Sequence, residues 1–282
     1  MPFSMPIISA LIIAILLWWF STGLILLAAR AQARGAMLGV FTLIALVGFA
    51  GVYASAGSAD IAGAYLGFLG ALGVWAWHEA SFALGLVTGP RKEPCSADLQ
   101  GWRRFKAGFM ALRDHEGALL ISAVIIGVLG WGADNQTALW TFLVLWCMRV
   151  SAKLSVFLGA PHGVSALVPD RLHYLTTYFR TDRLSLIPVI GVGAGIAALL
   201  VLMDQGIGLN GPAGDVAIAL IGTLLALAIL EHLFLVLPVS EAVLWTWAFV
   251  ALDRVPQGTP PHLKGRPAPR PPANKKGAAA PL

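Results

Sequence analysis

Seven long runs of apolar residues dominate this chain, and short polar or glycine-rich stretches separate them. A helix needs about 20 apolar residues to cross the hydrocarbon core of a bilayer, and each run is close to that length. The pattern therefore predicts an all-α, polytopic membrane helix bundle of about seven transmembrane helices over residues 1–254. The runs cover residues 7–29, 37–55, 61–87, 115–132, 137–158, 184–203 and 214–238.

The composition agrees with a membrane protein and excludes several other classes. Of the 282 residues, 58% are hydrophobic and 12% are charged, which is too little polar surface for a soluble domain of this size. The sequence contains no glycine-rich nucleotide-binding loop and no nucleic-acid module. Cys95 and Cys147 fit no metal-ligand spacing, and we expect two unpaired thiols.

The basic residues predict the orientation of the bundle. The loops at 56–60, 133–136 and 204–213 contain no Lys or Arg, and all 19 of these residues lie on or beside the opposite face. The positive-inside rule makes that face cytoplasmic, with the N-terminus periplasmic and the C-terminus cytoplasmic. Residues 255–282 are rich in Pro, Lys, Arg and Ala and contain no Phe, Trp or Tyr, so we predict a disordered basic cytoplasmic tail.

Glycine, proline and capping signals predict the details between the spans. Gly63, Gly67 and Gly70 of the third run permit close packing against another helix. The third helix is expected to end at Gly89-Pro90. Residues 96–113 predict a separate interfacial helix, which Ser96 would cap.

The predicted cytoplasmic segments contain further short elements. A short helix is expected from Asp170, and His162 and His173 are interpreted as ordinary loop histidines. Pro238 predicts a break at the end of the last span, followed by a short amphipathic segment over 239–252.

Eight of the ionisable residues in the predicted spans share one depth of the bilayer. A charged side chain at the centre of a bilayer costs at least about 2.5–3.5 kcal/mol, so such residues need partners or a wet cavity. The predicted topology places all eight in the cytoplasmic half of four helices. These candidates for a polar or ligand network are His78, Glu79, His115, Glu116, Arg149, Lys153, Glu231 and His232.

Arg149 and Lys153 lie on one face of the fifth predicted helix, because residues four apart point in the same direction. Lys153 is close enough to the interface to extend its amine towards the lipid headgroups. Arg149 lies about one turn deeper, and Glu79 and Glu231 are its candidate partners.

Three chemical interpretations of this network remain open. The first is a metal site, since histidine and glutamate suit iron, manganese or zinc. The second is a charge-balanced network whose histidines donate and accept hydrogen bonds or bind the metal of a tetrapyrrole. The third is a set of buried ion pairs that determines how the helices align. The candidate metal ligands are His78, His115, His232, Glu79, Glu116 and Glu231.

The spacing argues against the metal site. Adjacent residues on a helix point about 100° apart, so both members of a His-Glu pair cannot easily reach one ion. Bundle di-iron sites instead use Glu-x-x-His, whose members share a helix face. Convergence of His78, His115 and His232 on one point would favour the metal site.

Several stretches resemble the photosynthetic complex assembly protein PuhE family of purple and aerobic phototrophic bacteria, encoded beside the reaction-centre H subunit. The resemblance covers about residues 10–250 and leaves out the tail. It is based on WHEASFALGLVTGPR at 77–91, WRRF at 102–105, DHE at 114–116, LWCMRVSAKLSVFLGAPHG at 145–163 and VPDRLHYLTTYF at 168–179.

The resemblance implies a multi-pass protein of the bacterial cytoplasmic membrane, inner or intracytoplasmic. It implies an assembly factor for the photosynthetic reaction centre and core light-harvesting complex, or for their bacteriochlorophyll supply. Its partners would be photosynthetic complex subunits or pigment-synthesis enzymes, with no nucleic acid. Its ionisable motifs match His78, Glu79, His115, Glu116, Arg149 and Lys153; the chemistry adds Glu231 and His232.

Two other functions stay open at this point. One is a membrane metal-dependent oxidoreductase that acts on bacteriochlorophyll intermediates, and the other is a transporter that binds lipid or pigment. A non-catalytic role is the leading expectation. His78→Gln is expected to accumulate normally while the core-antenna absorption falls, because glutamine keeps hydrogen bonding but loses strong ligand character.

Overall fold

Seven α-helices account for most of the residues that the structure describes. The computed structural model describes residues 4–162, 168–239 and 241–248, and these ranges contain no β-strand. Short 3-10 helices lie at Asp170–Tyr178 and Glu241–Trp245. The all-α class is confirmed, as is the short helix predicted from Asp170. The helices are α1 Met5–Ala29, α2 Arg34–Ala56, α3 Ile61–Ala83, α4 Gly101–Leu129, α5 Thr137–Leu158, α6 Ile187–Gln205 and α7 Gly211–Val236.

Six of these helices are long and apolar enough to cross a membrane, and α4 is the exception. At 29 residues α4 is the longest helix, but Arg113, Asp114 and Glu116 interrupt its apolar sequence. The prediction of a separate interfacial helix over 96–113 is wrong. One continuous helix begins at Gly101 with Gln100 as its N-cap, because no proline breaks the chain between these residues and Leu129.

The third helix ends earlier than the sequence predicts. It stops at Ala83 instead of Gly89-Pro90, and Gly85 turns the chain with a φ of 70°. Glycine adopts this left-handed conformation at little cost, so it terminates helices efficiently. Arg34 and Arg171 then donate hydrogen bonds to the carbonyl of Leu84, at 3.5 and 3.3 Å.

The two central helices are α3 and α7. In their most apolar segments 50% of α3 and 56% of α7 is buried, compared with 17% to 22% of α1, α2, α5 and α6. Helix α2 packs along α3, α1 and α6 pack on α7, and α5 contacts α3, α6 and α7. Helix α4 packs beside α3 and α5, which brings its charged residues against both helices.

Glycines allow α2 and α3 to approach each other closely. A Cβ atom added at Gly70 would lie 2.8 Å from the carbonyl oxygen of Gly48 and 2.9 Å from the amide nitrogen of Val52. A Cβ added at Gly48 would lie 2.7 Å from the Gly70 carbonyl oxygen. These neighbours are backbone atoms and cannot rotate away, so the close packing predicted for Gly70 is confirmed.

Gly48→Ala is therefore expected to force α2 and α3 apart and to destabilise the protein by about 1–3 kcal/mol, the usual cost of overpacking. Gly39→Ala, in the same helix, is the matched control, because a Cβ there has no neighbour within 4 Å. Denaturation of the solubilised proteins by sodium dodecyl sulfate, followed by circular dichroism, measures both changes. Equal stability of the two variants would contradict this account of the packing.

The basic loops meet at one end of the bundle, where α3 and α5 finish and α4 and α6 begin; we call this the basic end. There Arg91 Nε donates to the hydroxyl of Tyr178 at 2.8 Å, and the amide of Ala160 donates to the Arg180 carbonyl at 2.9 Å. The cytoplasmic orientation of this end stays a prediction. The predicted tail lies outside the described residues.

The chain breaks after α7, close to the predicted position at Pro238. The segment beyond it packs on α1, since Trp19 Nε1 donates to the Leu244 carbonyl and Trp245 Nε1 donates to the Trp19 carbonyl. These hydrogen bonds, of 2.8 and 2.9 Å, join the two ends of the described chain.

Candidate functional site

The described structure brings most of the predicted ionisable residues together between α3, α4 and α5. Helix α3 buries His78, whose side chain is only 1% exposed. Its Nε2 atom lies 2.8 Å from Ser122 Oγ of α4, and the two atoms share a hydrogen bond. The imidazole lies edge-on to Trp77 and Phe142, with ring centroids 5.0 and 6.0 Å apart.

His115 of α4 completes a pair of buried imidazoles. It is 0% exposed, and its ring centroid lies 6.4 Å from that of His78 and 4.6 Å from that of Phe82. Neither of its ring nitrogens has a hydrogen-bond partner in the described part of the chain. Its backbone amide donates to the Thr88 carbonyl at 2.8 Å, which ties α4 to the segment after α3.

Lys153 and Glu116 form an ion pair between α5 and α4. The Nζ atom lies 2.6 Å from Glu116 Oε1, and both side chains are 20% exposed. Trp146 Nε1 donates to the other carboxylate oxygen at 3.1 Å. The suggestion that Lys153 extends to the lipid headgroups is wrong. The packing of α4 on α5 places Glu116 within reach, so the amine is neutralised inside the bundle.

Arg149 pairs with Glu79, one of its two candidate partners. Its Nη2 atom lies 2.6 Å from Glu79 Oε2, which joins α5 to α3. The Glu79 side chain is 13% exposed, and its Oε1 has no hydrogen-bond partner among the described residues. Residues four apart on α5 thus bind carboxylates on two different helices, and the three helices are cross-linked by charge.

Glu231 and His232 of α7 form hydrogen bonds to groups other than the six residues above. Glu231 Oε1 accepts a hydrogen bond from Trp18 Nε1 of α1 at 2.9 Å. His232 Nδ1 lies 2.8 Å from the Ala228 carbonyl, and its Nε2 lies 3.0 Å from Ser151 Oγ. A carbonyl only accepts, so Nδ1 carries a proton and donates it to Ala228, while Nε2 shares a hydrogen bond with Ser151.

The three histidines therefore do not converge. His78 and His115 face each other, whereas His232 is engaged at the interface of α5, α6 and α7. Within residues 4–162, 168–239 and 241–248, no three His, Cys, Asp or Glu side chains form a group that could hold a metal ion. The six candidate ligands, as arranged here, do not fit a metal centre.

A tetrapyrrole does not fit at His78 or His115 either. A ligand that binds through an imidazole nitrogen needs open space in front of that nitrogen. The two rings are 1% and 0% exposed, so no space for even a water molecule adjoins most of their surface. Ser122 occupies the position in front of His78 Nε2, and the rings of Phe142 and Phe82 pack against His78 and His115.

Two serines and one tryptophan of this network were missed by the sequence analysis. Ser122 and Ser151 bind the buried histidines, and Trp18 binds Glu231. Serines in apolar helices usually bond to the carbonyl one turn earlier, so their presence gives no signal of this role. His162 and His173 are exposed in the loop, as interpreted from the sequence.

These features define a multi-pass α-helical membrane protein with a charge-paired polar core. A family model described as "Protein of unknown function (DUF3623)" matches residues 4–255, and the chain belongs to this family. It is 32% identical over 259 residues to a Rhodobacter capsulatus protein described as "Uncharacterized 30.4 kDa protein in puhA 5'region". The match covers 89% of this chain and 94% of the relative.

No solved structure matches the chain. This similarity links the chain to a protein encoded near puhA, in agreement with the motifs of the sequence. The name PuhE itself stays a prediction.

Proposed function

We propose that this chain is a membrane assembly factor for a photosynthetic reaction centre and its core light-harvesting complex, or for their bacteriochlorophyll supply. The Rhodobacter capsulatus relative is described by its position beside puhA, and the motif resemblance points to the same context. A gene order of this kind supports a role in making the complex.

The pairing of charges in the polar core and the burial of its two histidines are the observations that favour an assembly factor over an enzyme. Lys153 and Arg149 each lie 2.6 Å from a carboxylate, and His78 and His115 are enclosed. An enzyme of the proposed oxidoreductase class needs reacting groups that a substrate can reach. Buried ion pairs instead suit a rigid helical body that holds one arrangement while partners bind its surface.

The proposed location is the bacterial cytoplasmic or intracytoplasmic membrane, with the basic end in the cytoplasm. The apolar outer surfaces of α1, α2 and α6 contact lipid or the membrane helices of the photosynthetic subunits. A reporter fused after Leu282 is expected to be active in the cytoplasm. Activity restricted to the periplasm would overturn the orientation.

Deletion of the relative's gene in Rhodobacter capsulatus tests the function. We expect the near-infrared absorption of the reaction centre and core antenna in the membranes to fall, and expression of this chain to restore it. The relative supplied on the same plasmid is the positive control. Unchanged absorption in the deletion strain would contradict the proposal.

Extraction of total pigment from the same cells separates the two forms of the proposal. A factor that assembles subunits leaves bacteriochlorophyll synthesis intact while the complex is lost. A factor that supplies pigment instead leads to accumulation of precursors or to loss of the pigment itself.

The closed surroundings of His78 reverse the expectation for His78→Gln. Glutamine keeps hydrogen bonding to Ser122, and no ligand fits at the imidazole, so we expect normal accumulation and normal core-antenna absorption. His78→Phe removes the hydrogen bond and leaves the Ser122 hydroxyl in an apolar site, which costs about 1–3 kcal/mol. Normal accumulation of His78→Gln with loss of antenna absorption would show that ligation by this histidine is essential.

A further inference from the structure

A cavity at the basic end has the chemistry of an anion site, and the polar core does not use it. It lies between the first turn of α4, the last turn of α5 and the segment before α6, with a volume of about 440 Å³. Small-molecule sites in proteins typically measure roughly 300–1,000 Å³, so the cavity is large enough for a headgroup. Its wall includes Arg104, Arg180 and Arg183.

Arg104 builds the wall of this cavity. It is 7% exposed, and it donates to the carbonyls of Phe157 and Tyr178 at 3.1 and 2.6 Å. Its guanidinium carbon also lies 4.0 Å from the centroid of the Phe157 ring. These contacts hold one positive charge in place between α4, α5 and the loop.

Arg180 and Arg183 provide charge that carboxylates do not neutralise by direct contact. Neither forms an ion pair within residues 4–162, 168–239 and 241–248, although Asp182 lies in the same loop. Arg183 Nε donates only to the Leu158 carbonyl, at 3.3 Å. Three guanidinium groups around one cavity repel each other, and an anion between them would offset that repulsion.

The start of α4 adds to the positive field. No side chain caps this terminus, and its first turn contains no acidic residue. Free amide groups and the helix dipole at such an end favour a phosphate or carboxylate. The helix terminus supports the site only together with the arginines and the cavity.

The apolar part of the cavity indicates an amphiphile. Trp102 is 74% exposed and stacks on Phe105, with ring centroids 5.1 Å apart. Exposed aromatic side chains at the end of a membrane bundle belong to the headgroup level of the bilayer. A soluble anion would gain nothing from these rings, whereas the glycerol and upper acyl chains of a lipid would pack on them.

The chain's own C-terminal segment is an unsuitable occupant. Residues 254–282 contain six Lys and Arg and no Asp or Glu, so the arginines repel them. We propose that the cavity binds the phosphate of an anionic phospholipid, with Arg180 and Arg183 as hydrogen-bond donors and Trp102 and Phe105 against the acyl chains. This inference is independent of the photosynthetic role.

Lipid titration of the purified full chain in a mild non-ionic detergent tests the proposal. The probes are dihexanoyl phosphatidylglycerol, dihexanoyl phosphatidylcholine and inorganic phosphate, and native mass spectrometry counts the bound molecules. We expect one phosphatidylglycerol to bind more tightly than either other probe. Equal binding of phosphatidylcholine would remove the anionic requirement, and equal binding of inorganic phosphate would show a free-anion site in place of a lipid site.

Two double variants distinguish lipid binding in the cavity from attraction of the lipid by general surface charge. Arg180→Gln with Arg183→Gln is expected to weaken phosphatidylglycerol binding at least about tenfold, since each lost charged hydrogen bond is worth about 1.5–3 kcal/mol and 1.4 kcal/mol is tenfold. Arg103→Gln with Lys106→Gln removes the same charge from the other side of α4 and is expected to change binding less than about twofold.

Equal weakening by the two double variants would overturn the proposal, because the lipid would then respond to total charge alone. Circular dichroism and gel filtration check the folding of each variant. If the double variant at the cavity does not fold, the single variant Arg180→Gln gives the same comparison. Unchanged phosphatidylglycerol binding by a folded Arg180→Gln would also contradict the assigned role.

Discussion

Replacement of Lys153 by methionine is expected to destabilise the protein by about 3–5 kcal/mol, the usual result of removing one member of a buried ion pair. Methionine keeps much of the side-chain volume but leaves the Glu116 carboxylate with Trp146 as its remaining donor. Denaturation by sodium dodecyl sulfate, together with the amount of protein in the membrane, measures the loss. Lys106→Met is the matched control, since that lysine is exposed.

The partner of Lys153 is tested by a second substitution. Glutamine at position 116 still accepts a hydrogen bond from Trp146 and carries no charge, so Lys153→Met with Glu116→Gln is expected to be more stable than Lys153→Met alone. A double variant that is as unstable as the sum of the two single variants would contradict the ion pair.

The spans and their main boundaries could be predicted because they depend on local sequence. Helix α5 runs from Thr137 to Leu158, the bounds read from the apolar run. Gly159 follows it with a φ of 151°, which ends the helix. Where the pattern was ambiguous the prediction was wrong. Residues 96–113 looked like a separate interfacial helix, yet nothing from Gly101 onwards interrupts helical hydrogen bonding.

The ionisable members of the polar network could be predicted, whereas its serines, its tryptophans and most of the pairings could not. A charged residue in an apolar run is costly enough to stand out in the sequence, and all eight candidates were recognised in this way. The partner of each residue depends on how its helix is rotated about its own axis and on which helices pack against it. Glu79 and Glu231 were equivalent candidates for Arg149 until the packing of α3 on α5 brought Glu79 within 2.6 Å.

Equal predicted depth in the bilayer did not show which ionisable residues contact each other. His232 lies towards the same end of its helix as His78, but it faces Ser151 and Gly191 at the interface of α5, α6 and α7. The sequence sets the depth of a residue through its distance from the helix end. The direction of its side chain among seven helices is set by tertiary packing, which one sequence does not reveal.

The polar core and the cavity at the basic end are two separate regions with different roles. Ion pairs from α5 to α3 and α4 hold the interior in one arrangement, and His78 and His115 are enclosed beside them. Phe157 connects the two regions, because it lies one turn beyond Lys153 on α5 and packs on Arg104. An assembly factor built in this way would present a fixed outer surface to its membrane partners.

Replacement of Arg149 by methionine is expected to destabilise the protein by about 3 kcal/mol, at the lower end of the range for a buried ion pair. The Arg149 side chain is 42% exposed, while that of Glu79 is 13% exposed, so the main cost is an uncompensated glutamate. Arg113→Met is the matched control. It breaks an exposed ion pair with Asp114, which is worth at most about 1 kcal/mol.

Two double variants identify the true partner of Arg149. Arg149→Met with Glu79→Gln is expected to recover part of the stability lost by Arg149→Met, because no charge is then left unpaired between α3 and α5. Arg149→Met with Glu231→Gln is expected to be at least as unstable as the single variant, since Glu231 is held by Trp18 of α1. Recovery with Glu231→Gln and none with Glu79→Gln would assign the arginine to α7 instead of α3.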